Sequence, residues 1–114
     1  ILSDHLATNS RGGAGWMTLA FYQAKLGERS GAEKDIQTAE ERGATDLESQ
    51  FMKAQALAVL GNKEEALKTV LSCLDQGLAP MEVELALDLN AVRTDPRYRK
   101  HAQRHGKSAL RTNS

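Results

Sequence analysis

Cysteine occurs once in these 114 residues, aromatic side chains make up 4% of them, and the charges cancel. Cys73 has no second thiol to pair with, so no disulfide within the chain frames the fold. With so few rings available, alanine and leucine must supply most of the packing, as in closely stacked helices. Lys+Arg and Asp+Glu each number 15, a balance that argues against a general nucleic-acid or membrane-surface protein. No apolar run approaches the ~18 residues needed to cross a bilayer. There is no signal-peptide pattern, and the chain opens at Ile1 without a methionine, so it reads as a piece of something longer. What remains is one small domain, long enough to bury a core of its own.

The neutrality hides an asymmetry. Residues 1–92 hold 8 basic and 14 acidic groups, and 93–114 hold 7 basic and 1 acidic, so the two parts carry −6 and +6. A second regularity is stronger. Sliding the sequence against itself until Ala20 falls on Ala54 also sets Ala24 on Ala58, Leu26 on Leu60 and Gly27 on Gly61. At the same offset Ala32 meets Ala66, and Gly43 meets Gly77. Small residues and glycines are what close helix packing and sharp turns demand. A self-match with a period of about 34 residues marks a helical repeat rather than a single enzyme core.

The local pattern agrees. Residues 1–15, with Gly12, Gly13 and Gly15, are expected to be a flexible linker after a short turn at Leu2–Ala7, since each glycine costs helix about 1 kcal/mol relative to alanine. From Trp16 the apolar spacing turns helical, and Gly27 stops the first helix. Ser30 with Glu33 has the form of a capping box opening a second helix, which ends at Gly43. Asp46 caps a third helix, stopped by Gly61, and a fourth runs from about Lys63 to Gly77. Between Met81 and Leu89 apolar and polar residues alternate, which is the strand signal. A lone strand would leave its backbone unpaired, so a short helix after Pro80 is expected instead. Asp95-Pro96 starts a last helix, expected to end near His105, with 106–114 as a disordered tail.

These residues resemble tetratricopeptide repeats (TPR). Trp16, Leu19 and Ala20 match the family's opening pattern, with alanine for glycine, and Ala32, Ile36 and Ala39 match its later small and apolar positions. The second unit keeps Ala54, Leu57, Gly61, Ala66 and Val70 but has Gln50 where the tryptophan would stand, and Pro80 falls near the closing proline. The run Leu89, Val92, Arg93, Asp95, Pro96, Arg97, Tyr98 is similar to the closing segment of many bacterial TPR proteins. The resemblance implies an all-α fold of antiparallel helix-pair repeats over 16–80, with capping helices over 81–105. It also implies a concave groove for an extended or helical peptide. Its positions here would be Met17, Phe21 and Ala24 from the first unit and Phe51, Gln55 and Ala58 from the second. Those places are mostly apolar, unlike the family's lysine- and asparagine-lined clamp for acidic chain ends. A hydrophobic peptide or partner helix is therefore the expected ligand. Alternatively, Met17, Phe21 and Phe51 are covered by a missing upstream repeat or by the N-terminal linker.

Other chemistry finds little support. His101 and His105 sit at i, i+4, the spacing of two zinc ligands, without a nearby carboxylate or cysteine to complete the shell. Cys73 stands where the period wants a small packed residue and has no histidine to activate it. Gly12-Gly13-Ala14-Gly15 lacks the lysine and preceding strand of a phosphate loop. No Ser/His/Asp arrangement stands out, and no cofactor or metal is implied. The expectation is a non-catalytic protein-interaction scaffold. One alternative is a regulatory segment of a bacterial kinase or winged-helix regulator. Another is anion or nucleic-acid binding through Arg93, Arg97, Arg99, Lys100, Arg104, Lys107 and Arg111, charges that would equally serve to pair with the acidic body.

Overall fold

Glycine decides where the first four helices end. A computed structural model of the chain describes residues 13–113, and side chains as far as Arg104. The helices are α1 (Ala14–Lys25), α2 (Arg29–Glu41), α3 (Leu47–Val59), α4 (Lys63–Asp75), α5 (Pro80–Leu85), α6 (Asn90–Arg93) and α7 (Pro96–Asn113). A 3₁₀ turn at Leu87–Leu89 joins α5 to α6, and no strand occurs among the described residues. The turn expected at Leu2–Ala7, and residues 1–12 of the linker, lie outside them.

After α1, Gly27 takes a left-handed backbone (φ 80°), and after α3 Gly61 does the same (φ 85°). Gly27 N donates to Ala24 O and Glu28 N to Gln23 O; Gly61 N and Asn62 N repeat this on Ala58 O and Leu57 O. This is the Schellman arrangement, which satisfies the last carbonyls of a helix and needs a residue free of a Cβ at its centre. The turns at Gly43 and Gly77 make the equivalent bonds, to Glu40 and Ala39 and to Leu74 and Cys73. The offset read from the sequence is thus present in helix ends, and in helix starts too, since α2 begins at Arg29 and α4 at Lys63.

Three boundaries depart from expectation. Ser30 is not the cap of α2. Its place is taken by Glu28, which makes no side-chain capping bond. The reason is space, since Glu28 N already closes the turn after α1 and its carbonyl accepts Ala32 N. Ser30 therefore falls inside the first turn. At the other end α7 continues past His105 to Asn113, so Gly106 does not stop it. At the start, Ala14 and Gly15 belong to α1 rather than to a linker. Asp46 does cap α3, accepting from Ser49 N at 3.3 Å.

α1 packs on α2, α3 on α4, and α1 against α3. A Cβ on Gly13, which stands just before α1, would collide with the carbonyl of Ala39 near the end of α2. The start of α1 thus lies against the last turn of α2. Near the end of α1, Gln23 Nε2 donates at 2.7 Å to Oδ2 of Asp35, midway along α2. Ala20, Ala32, Ala39, Ala54, Ala56 and Ala66 are fully buried at these contacts, where small side chains let helix axes approach closely. Larger groups fill the space between layers, among them Met17, Leu67, Val70, Leu74, Leu89 and Val92. Fully burying one such side chain stabilises the fold by about 1.5–3 kcal/mol.

The stretch with strand-like alternation forms the short helix α5 and then breaks. Val83 and Leu89 are both buried, yet six residues apart they would face different sides of one straight helix. Ala86 resolves the conflict with an extended backbone (φ −81°, ψ 108°). Arg93 Nη1 donates to the carbonyls of Val83 (2.9 Å) and Ala86, which also accept Ala86 N and Leu89 N, so the guanidinium braces the interruption. Asp95 then opens α7 as expected, its Oδ1 accepting Arg97 N at 2.8 Å with Pro96 in the first turn. Tyr98, buried, donates to Glu84 Oε2 at 2.5 Å and ties α7 to α5.

Candidate functional site

A cleft of about 480 Å³ opens where α1, α3 and the start of α5 meet. Its apolar lining includes Met17 from α1, Leu47, Phe51 and Met52 from α3, and Leu78 from the turn before α5. Thr18 and Gln55 add polar groups to the walls. Met17 and Phe51 are separated by one repeat period, as are Thr18 and Met52. The same rungs of two successive first helices thus face one space.

Of the six groove positions expected from the sequence, Met17, Phe51 and Gln55 line this cleft. Phe51 and Gln55 are half-buried, but Met17 exposes 0% of its surface and belongs to the core beneath. Phe21 is half-buried away from the lining, with Lys25 Nζ 5.3 Å from its ring centroid. Ala24 is buried, and Ala58 packs against the core. The apolar surface is therefore a recess with a buried floor rather than three large side chains displayed in a row. Helical spacing says which face of α1 a residue occupies; it does not say how deep that face sits.

Residues that the sequence reading passed over include Leu47, Met52, Leu78 and two carboxylates, Glu48 and Glu82. Glu48 stands in the first turn of α3 and Glu82 in the first turn of α5. The same period separates these two, so carrying the offset one unit further would have found them. Asp46 is the third acid at the rim. Its carboxyl is held below the usual range, chiefly by its hydrogen bond with Ser49. No lysine, arginine or histidine is among the described residues that line the cleft.

Part of the basic end of the chain is engaged in ion pairs with α4. Arg97 bridges Glu64 on α4 (2.8 Å) and Asp95 (2.9 Å), and Lys63 also reaches Asp95 at 3.2 Å. His101 Nε2 lies 2.7 Å from Asp75 Oδ1. These contacts fasten α7 to α4 and engage Arg97, one of the cations that phosphate binding would use. Cys73 is buried, and burial pushes its thiol above the ordinary range, away from the reactive thiolate. Gly13, within the glycine-rich stretch, is a close-packing residue between Ala39 and Ala44. Among the described residues, no three His, Cys, Asp or Glu side chains converge as a metal site would require, and no helix is long and apolar enough to cross a membrane.

Comparison with protein-family models, with curated proteins and with solved structures finds no match to this chain.

Proposed function

We propose that this chain is a non-catalytic interaction module, built of TPR-like antiparallel helix pairs, that receives an apolar peptide segment or partner helix in the cleft between α1, α3 and α5. One observation carries the reading. The cleft is lined at positions one repeat period apart, Met17 with Phe51 and Thr18 with Met52, on the first helices of successive pairs. A groove built from first helices is what the repeat resemblance implies. The matching Schellman turns, and the contact of the start of α1 with the last turn of α2, support the same architecture. A volume of about 480 Å³ lies within the range of roughly 300–1,000 Å³ usual for ligand sites. The buried thiol of Cys73 and the paired His101 give no nucleophile to build catalysis on.

The test is selection of peptides by display on the full chain, followed by calorimetry with wild type and with Met52→Ala and Gln55→Ala. The expected result is selected peptides whose affinity falls about tenfold or more with either substitution, as at interface anchors. Lys68→Ala, on the exposed face of α4, should leave affinity unchanged. Failure to select any peptide, or binding indifferent to Met52 and Gln55, would overturn the reading.

A further inference from the structure

We infer that the occupant of this cleft is a cationic segment, one or two apolar side chains flanked by lysine or arginine, and that Glu48 and Glu82 select it. The inference rests on the interaction-module reading and adds the chemistry of the partner. Glu48 and Glu82 hold equivalent places, one repeat period apart, in the first turns of α3 and α5, and both line the cleft. Asp46 stands two residues before Glu48 and lines it as well. All three are exposed. Neither Glu48 nor Glu82 is ion-paired to any described residue.

The sign of the rim has to be weighed against the helix ends. The starts of α1, α3 and α5 all border the cleft, and a long helix presents about half a positive charge at its N-terminus. The α5 helix, with 6 residues, contributes less. Three full carboxylates outweigh these partial charges, and the rim is net negative. An acidic segment would meet like charge there. A neutral segment would partly cover the carboxylates without pairing them, which is unfavourable. A lysine or arginine on either side of an apolar anchor pairs them while the anchor fills the recess over Phe51, Met52 and Leu78. Rim charges of this kind set partner choice and association rate more than total affinity.

Fluorescence anisotropy on the full chain tests this with three labelled peptides sharing one Leu-Phe-Leu anchor and flanked by lysine, glutamine or glutamate. At low salt the lysine peptide should bind about tenfold more tightly than the glutamine peptide, and the advantage should shrink as salt screens the rim. The double variant Glu48→Gln/Glu82→Gln should abolish the advantage while leaving the glutamine peptide's affinity unchanged. Glu33→Gln, on exposed α2 surface, should leave the advantage intact, which separates the rim from the general acidity of residues 1–92. Circular dichroism checks each variant, and Glu82→Gln alone replaces the double variant should that one unfold. If the glutamine or glutamate peptide binds as well as the lysine peptide, cation selection is wrong and the cleft reading stands. If Glu33→Gln is as damaging as the double variant, selection by the rim is wrong. If none of the three binds, the cleft reading falls with it.

Discussion

Gly13 and Gly61 both hold a left-handed backbone, at φ 86° and 85°, but only Gly13 is pressed against a neighbour. A Cβ on Gly61 would meet nothing within 4 Å, whereas one on Gly13 would strike the carbonyl of Ala39. Gly61→Ala should therefore cost only the backbone term, about 1–2 kcal/mol. Gly13→Ala adds a steric clash between α1 and α2 and should cost clearly more. Urea denaturation of the two variants checks the order; equal losses would mean that the close approach at Ala39 does not hold.

Met17 and Phe51 occupy equivalent positions and differ in depth. Met17→Ala empties a fully buried site and should cost about 2–5 kcal/mol. Phe51 is half-buried at the cleft, and Phe51→Ala should cost about 1–2 kcal/mol, a fraction of what complete burial supplies. Chemical denaturation would show the difference, and a Phe51→Ala loss as large as that of Met17→Ala would make Phe51 core rather than cleft.

Asp95 and Asp35 should respond to pH in opposite directions. Hydrogen bonds from Arg97, aided by Lys63, hold the Asp95 carboxyl well below its ordinary value of 3.8. A folded-state value below the unfolded one gives stability that is present above about pH 3.8 and lost as pH falls further. Asp95→Asn should therefore be less stable than wild type at neutral pH, with the gap closing in acid. Burial raises Asp35 above 3.8, an effect that Lys34 partly opposes. Its ionised form is a penalty at neutral pH that disappears in acid. Asp35→Asn keeps an acceptor for Gln23 and should gain stability at pH 7, the gain vanishing in acid. Thermal melts of both variants between pH 7 and about pH 2 would expose either sign if wrong.

Arg93 braces the interruption after α5 through its bonds to the carbonyls of Val83 and Ala86. Arg93→Ala should cost about 1.5–3 kcal/mol, the range for hydrogen bonds to a charged group. Arg93→Lys should recover only part of this, because an ammonium lacks the planar fork of donors. Amide exchange across 83–89 should quicken in the alanine variant, and unchanged protection there would detach Arg93 from the bend.

The all-helical character and most helix ends were legible in the sequence, for reasons that particular residues make plain. Glycines at 27, 43, 61 and 77 are a local steric signal, and so are Asp46 and Asp95 ahead of helices. Ser30 misled because a capping box is also local, whereas its availability depended on the turn at Gly27 consuming Glu28 N. The bend at Ala86 was hidden because it follows from where Val83 and Leu89 must point. The depth of Met17 depends on the joint packing of α1, α2 and α3, which a periodic pattern cannot specify. Glu48 and Glu82 lay within reach of the same offset and were missed because exposed carboxylates on helices are ordinarily plain solvated surface.

The links between neighbouring helices bear on how the molecule comes apart. Arg29, which opens α2, donates to the carbonyl of Leu60 at the end of α3. Lys63, which opens α4 at the equivalent place in the next unit, reaches Asp95 at the start of α7. Each joins the first residue of one helix to a different helix, at sequence positions one period apart. Where stability is a sum of units and of the interfaces joining them, such clasps raise the interface share. Melting of α7 would strip Lys63 of its partner and expose the flank of α4, and loosening of α3 would do the same to α2. Such clasps are expected to couple neighbouring helices into one cooperative transition instead of letting them fray from the ends.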